Sequence, residues 1–440
     1  MLVTTLQYSC NLCPSGQYTL DTGYSNGTTA QFFTGSCHPC PHGAVCLGGT
    51  IAAVPGYWGA TDASTGQVSM IGCPPWYCCD NSPASPCTNA SSCAPHRVGP
   101  LCGKCQSGFT ERLGSASCHP TEDCNDGAWA WPLAVIATFI AGVFMLRLSD
   151  LWAPSSHLPT GTFKLAAYYF QLVSLVVSTR GAGSTSSDLL QSVLSVVSLK
   201  VPTTLSTGVC AIPGLTAVGK ACMDYVVPCA VAVAMVLLFW WPTCRRVCWG
   251  PHAYRHAPQP RRQAEREVPL LSHGDVEVEA DPSISNATMM RTRHRVYSAG
   301  WNLLMLVYFN VAAATLALLR CVEVPGADGY RLFIDANIKC VYYGWQLPLL
   351  LLGVTLLAFP VYVRWRADRA RRRRFDSGHD FDAVLYRTIG GMYREQCSFW
   401  EGVLISHRLG VAFLFTFVTE APVMRSVLIA AVTAAVAAMH

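Results

Sequence analysis

Cysteine is the residue type whose chemistry this chain offers most of. Of its 22 cysteines, 14 fall within the first 124 residues: Cys10, Cys13, Cys37, Cys40, Cys46, Cys73, Cys78, Cys79, Cys87, Cys93, Cys102, Cys105, Cys118 and Cys124. A thiolate can ligate a metal, attack an electrophile or close a disulfide. A short pattern repeats, Cys10-x-x-Cys13-Pro-Ser-Gly and then Cys37-x-x-Cys40-Pro-His-Gly, with a weaker copy at Cys102-x-x-Cys105-Gln-Ser-Gly. Two such pairs are the raw material of a four-cysteine zinc site. Against zinc, the cysteines are even in number and exceed one site's need. The sequons Asn26-Gly27-Thr28 and Asn89-Ala90-Ser91 fit a glycosylated, lumenal segment, where disulfides persist. Disulfides are therefore the expectation, with their pairing open, and no metal site is assigned.

Other chemistry-bearing residues are sparser. Cys210 with Cys222, and Cys321 with Cys340, are two further candidate bridges, and Cys222 could instead reach Cys321 or Cys340. Cys244, Cys248 and Cys397 are expected to be free or palmitoylated. Four polar side chains interrupt apolar runs, Gln171, Asn302, Asn310 and Gln346, and none is ionisable. Their ordinary role is helix–helix hydrogen bonding worth about 1 kcal/mol or less; an ion pathway is the functional alternative. Arg408 is expected to snorkel from the end of its run. No nucleotide-binding glycine loop, HExxH or GxSxG is present. No catalytic or cofactor-binding residue is assigned, and the chain reads as something other than an enzyme.

The elements that must position these residues follow from composition. The chain is 51% apolar and 13% charged, against about 25% charged in ordinary soluble proteins. Residues 1–127 carry three basic and seven acidic side chains and no long apolar run. Thereafter long apolar runs alternate with charged connectors. Seven runs are expected to be spans: Ala128–Leu146, Phe163–Thr179, Tyr225–Thr243, Tyr297–Leu319, Val341–Val363, Val403–Thr419 and the shorter Ser426–Met439. If the cysteine-rich end lies outside, 21 of the 31 basic residues fall in the inner segments 147–164, 244–296 and 364–408, as the positive-inside rule requires. The run Arg371–Arg374 then reads as a topology anchor that also attracts anionic lipid, not as a nucleic-acid patch.

The expected fold is a small disulfide-rich ectodomain of loops and short β-strands, followed by an all-α multi-span bundle. Its parts are an ectodomain at 1–126, three spans with an outer loop at 127–243, an inner Arg- and Pro-rich linker at 244–296, and about four further spans at 297–440. Sugar is expected at Asn26 or Asn89 and not at Asn286. The short lead before Cys10 and the apolar run at the end suggest a chain incomplete at either terminus.

The segment Cys37-His-Pro-Cys-Pro-His-Gly-Ala-Val-Cys46, with Pro55-Gly56-Tyr57-Trp58 behind it, resembles ephrin-receptor-like cysteine-rich modules. The segment from Arg97 to Gly108 resembles a laminin-type EGF element. Such modules precede a multi-span region in a group of algal and protist membrane proteins. Lys164, Tyr168, Gln171, Tyr308, Cys321, Tyr330, Asp335, Cys340, Pro360, Trp400, Glu401 and Arg408 stand in that group's order. Asn310, where proline is common, and His407, where a second basic residue is usual, depart from it. The resemblance implies a plasma-membrane protein related to TRP-like channels, with sensing or ion transport as its role. The alternatives are a seven-span receptor and an adhesive surface protein. Its expected partners are the lipid bilayer, an extracellular ligand or matrix, and further copies of itself. No cofactor and no nucleic acid are expected.

Overall fold

The computed structural model describes residues 13–20, 36–62, 65–80, 82–83, 85–111, 116–127, 136, 140, 213–226, 228–230, 232–233, 300–301, 304–305, 307–376, 399–418 and 422–439. The first two expected spans (apart from Ile136 and Ile140), most of the third, and the linker 244–296 lie outside these residues. So do Cys10, Asn26, Gln171, Cys210, Cys244, Cys248, Asn302 and Cys397.

The N-terminal region is a chain of small antiparallel ladders stapled by sulfur. The pairs are β1 (Gln17–Tyr18) with β2 (His38–Pro39), and β3 (Ala44–Leu47) with β4 (Thr50–Ala53). Next come β5 (Tyr57–Thr61) with β6 (Val68–Gly72), and β7 (Arg97–Val98) with β8 (Lys104–Cys105). Last is β9 (Phe109–Glu111) with β10 (Cys118–Pro120). Two-stranded ladders of this size are marginal alone. Disulfides Cys13–Cys37, Cys40–Cys46, Cys73–Cys78, Cys79–Cys87, Cys93–Cys102 and Cys105–Cys118 supply the constraint. Cys124 is bonded as well. In both CxxC pairs that are fully described, the first cysteine reaches back and the second forward: Cys37 to Cys13 and Cys40 to Cys46, Cys102 to Cys93 and Cys105 to Cys118. Each of these two CxxC pairs is therefore a joint between consecutive small loops.

A helix α1 (Ala217–Met223) follows, capped by the Thr216 hydroxyl, which accepts from the Gly219 N–H at 3.1 Å. Helix α2 (Val307–Leu319) runs into a three-stranded sheet of β11 (Cys321–Glu323), β12 (Tyr330–Leu332) and β13 (Asp335–Lys339). The Cys321–Cys340 disulfide closes that sheet at its base. Then come α3 (Leu347–Asp376), α4 (Trp400–Phe417) and α5 (Pro422–Met439).

The helical half differs from a seven-span expectation. Among the described residues one helical stretch, Leu347–Arg369 in α3, is long and apolar enough to cross a membrane. The apolar helices Val307–Leu319 and Val423–Val436 are shorter. Helix α4 buries Glu401, His407 and Arg408 in its length. The fifth expected run opens at Val341. Residues 342–346 instead form turns below the disulfide, and the helix starts at Leu347. Gln346 is therefore not inside a span; it sits buried ahead of α3, with Nε2 donating to the Leu318 carbonyl at 3.1 Å. Arg408 does not snorkel; it is buried and donates to the Met305 carbonyl at 3.1 Å. Asn310 is buried in α2.

Met305, Tyr308, Val363, Ala367 and Ile405 form one core that ties α2, α3 and α4 together. Gly402 permits the approach of α4 to α3, because a Cβ there would lie 3.2 Å from the Pro360 carbonyl oxygen. The outer flank of α3 is uncovered: Leu351, Val354, Leu357 and Val361 are all exposed.

Candidate functional site

The cysteine-rich region does not stand apart from the helical half. One core contains Trp58, Tyr77, Cys78, Leu101 and Cys102 from the first and Ala217, Val324, Phe333 and Ala336 from the second. The sequence separations exceed 100 residues, so the docking creates long-range contacts that local pattern cannot show. The contact turns on the segment Gly99–Gly103. Leu101 and Cys102 are fully buried and both adopt left-handed backbone, φ 51° and 55°. Non-glycine residues reach that region at a cost, held here by the Cys93–Cys102 bond and the surrounding core. The bend presents Gly103 to β13, where a Cβ would lie 3.0 Å from the Ala336 nitrogen. Gly99, at φ 82°, faces the Asn337 side chain in the same way.

Beneath this contact lies a buried ion cluster. Arg97 on β7 pairs with Glu111 on β9 at 2.5 Å, and both side chains are essentially excluded from solvent. Arg97 also donates to the carbonyls of Ala116 and Cys102, at 2.6–2.9 Å, and its guanidinium lies 3.5 Å over the Tyr77 ring. Glu111 spends its second oxygen on Lys220 of α1, at 3.2 Å. Backbone bonds join the same strand to the residues before α1: Glu111 N–H donates to the Leu215 carbonyl at 3.4 Å. Burial pulls the Lys220 ammonium below its ordinary value, opposed by the Glu111 charge. Burial, and next the Glu111 charge, push the Tyr77 phenol well above its ordinary value. Such a pair adds little net stability, but breaking it on one side is costly. It fixes which surfaces meet.

From α1 the contacts continue inward. Tyr225 and Thr315 share a hydrogen bond of 2.7 Å between their hydroxyls, and Thr315 donates to the Val311 carbonyl within α2. Arg320, at the end of α2, stacks 3.4 Å over Phe333 and donates to the Thr416 carbonyl near the end of α4. The Arg320 cation thus faces the negative ends of two helices. On the far side of α4, His407 Nε2 and the Thr433 hydroxyl share a 3.1 Å hydrogen bond into α5.

Of the cysteines expected to bridge the outer segments, Cys321 and Cys340 bond each other. Cys222 differs from its expectation: it is an exposed free thiol on α1, and both alternative partners are consumed by their own bond. Cys13, Cys37 and Cys40, three members of the alternative zinc set, are in disulfides. Among the described residues no group of three or more His, Cys, Asp or Glu could hold a metal ion. Residue types and spacing gave Arg97, Glu111 and Lys220 no role as partners. A lone acid in a cysteine-rich strand carries no signal until its partner 109 positions away is known.

Compared with known proteins, the chain matches no family model, no curated protein and no solved structure.

Proposed function

We propose that the chain is a multi-pass cell-surface membrane protein whose cysteine-rich region is a sensing cap clamped onto the outer ends of its helices, in a channel-related membrane unit. The observation that carries this is the shared core of Trp58, Tyr77 and Leu101 with Ala217, Val324 and Phe333. A ligand or force that moves the cap must move α1 and the sheet between α2 and α3. A cap tethered only by a linker would transmit nothing.

Support for the bilayer comes from α3. From Leu347 to Trp365 it rises roughly 27 Å at about 1.5 Å per residue, close to the bilayer's hydrocarbon thickness of about 30 Å. Exposed Tyr342, Tyr343 and Trp345 mark one end, and exposed Tyr362 and Trp365 the other. Aromatic side chains favour both interfaces. The cap lies at the first end, and Arg364, Arg366 and Arg369 follow at the second, which fits an outside cap and an inside arginine run. The seven-span count and the TRP-like character rest on the sequence runs and the family resemblance.

The test reconstitutes the full chain in planar bilayers and records cation currents under voltage, stretch and calcium. Currents altered by reduction of the cap's disulfides are expected. Silence under all three stimuli sinks the channel reading. For orientation, a membrane-impermeant maleimide applied to intact cells should label Cys222; labelling only after permeabilisation overturns the outside assignment.

A further inference from the structure

Asn89 occupies a built turn on the surface of the cap. Its backbone N–H donates to the buried Ser92 hydroxyl at 2.9 Å, and its carbonyl accepts from Ala53 N–H at 3.1 Å. Its side-chain Oδ1 accepts from the Ser91 N–H at 3.0 Å, the Ser91 hydroxyl at 3.2 Å and the Ser92 hydroxyl at 3.1 Å. Every polar atom of the residue is committed except Nδ2, which is on an exposed side chain and makes no hydrogen bond among the described residues. A substituent on Nδ2 therefore breaks no bond of the fold. Beside it opens a shallow groove of about 720 Å³, lined by Asn89 itself with Trp58, Pro95, His96 and Pro100. His96 is held at the groove by its left-handed backbone, φ 60°, and by stacking on Phe109 at 4.1 Å.

We propose that Asn89 carries an N-linked oligosaccharide whose first sugar lies in this groove, its apolar ring face against Pro95 and His96. The occupant is named by the site, because Asn89, the residue that carries the attachment atom, is itself among the groove's lining residues. In the transfer step Nδ2 forms a bond to the anomeric carbon of a sugar carried on a lipid pyrophosphate. The bond from that carbon to the pyrophosphate oxygen breaks, the lipid pyrophosphate leaves, and the amide proton passes to a base of the host transferase. The Ser91 hydroxyl, bonded to the same amide, completes the sequon. The inference rests on the outside reading of the cap.

The experiment expresses the full chain in a eukaryotic secretory host and releases N-glycans with an amidase in heavy-oxygen water. Peptide mapping then locates each labelled aspartate. Label at Asn89 in most molecules is expected, lost in Ser91→Ala and kept in Ser91→Thr. Label at Asn26 without Asn89, or at neither, overturns the site. Label at Asn286 instead overturns the outside reading, so the two failures are distinguishable. For the groove, an endoglycosidase that cuts between the first two sugars is applied to native and denatured protein. Release from native protein at least tenfold slower is expected, rising toward the denatured rate in His96→Gly. Equal rates in native and denatured wild type, or no response to His96→Gly, overturn the docking.

Discussion

Tyr308 donates its phenolic hydrogen to the carbonyl of Leu356 at 2.8 Å, the carbonyl that Pro360 leaves without its helical donor. A proline inside a helix has no N–H to return to the fourth residue before it, and the carbonyl so orphaned needs another donor. The hydroxyl arrives from α2, while the Tyr308 ring stacks on Phe359 at 5.2 Å. Tyr308→Phe keeps the ring and deletes the bond, so it should cost about 1–3 kcal/mol for the unsatisfied carbonyl. The same change in a Pro360→Ala background should cost much less, because the alanine N–H refills the site. A double-mutant cycle on thermal unfolding in detergent measures the coupling. Equal costs in both backgrounds would mean the hydroxyl does not serve that carbonyl.

Glu111→Gln tests the cluster under the cap. It leaves Arg97 buried without a counter-charge, for which about 3–5 kcal/mol is expected. Lys220→Gln should cost less, since Glu111 keeps its bond to Arg97 and the half-buried Lys220 side chain, 26% exposed, leaves no buried charge unpaired. Denaturant midpoints of the two variants compare them. Similar losses would show that Arg97 is not the centre of the cluster.

The staple-rich cap was legible because 14 cysteines cannot hide and ladders of two to five residues need covalent help. Their pairing was not, since every CxxC allows each cysteine to turn either way. Among the described residues, the location of α2 to α5 was legible from apolar runs, but composition does not mark where a helix begins. Hence Gln346 looked intramembrane, although the turns at 342–346 place it under the Cys321–Cys340 bond. The site fared worst. Arg97, Glu111 and Lys220 are ordinary surface residue types, and only tertiary docking makes them buried partners.

Raising the pH should unfold the cap earlier than its other groups require. The Tyr77 phenol is held well above its ordinary value in the folded chain, by burial first. In the unfolded chain it ionises near pH 10. Above that pH the unfolded form loses a proton that the folded form keeps, so stability falls as pH rises. Tyr77→Phe removes this slope. Unfolding midpoints measured between pH 9 and about 11 should decline less steeply in the variant. Parallel declines would mean that Tyr77 ionises freely in the folded protein.

Opening the Cys321–Cys340 bond should release the sheet that receives the cap. A loop of this size contributes about 3 kcal/mol through the unfolded ensemble, and the bond also sits against the Gln346 amide, 3.4 Å from the Cys321 sulfur. In Cys321→Ser/Cys340→Ser, hydrogen exchange at β11–β13 should accelerate while β3–β4, stapled by its own Cys40–Cys46 bond, keeps its protection. Equal acceleration in both places would show that the region unfolds as one unit.

Gly103→Ala isolates the docking itself. The glycine has ordinary right-handed backbone, φ −70°, so alanine adds no torsional strain. What it adds is a methyl 3.0 Å from the Ala336 nitrogen and 3.1 Å from the Asp335 Cα. These are backbone atoms of a paired strand, which cannot rotate away as a side chain would. Overpacking of this kind costs about 1–3 kcal/mol, here charged to the cap–sheet contact alone. Exchange at Asp335–Lys339 should speed up by about 5- to 150-fold, with the disulfide map of the cap unchanged. Since the cap is proposed to act by moving this sheet, the same variant should blunt any current response to ligand or stretch while leaving the helices folded. Unchanged protection at β13 would show that the contact has room to spare, and that the cap is not clamped there.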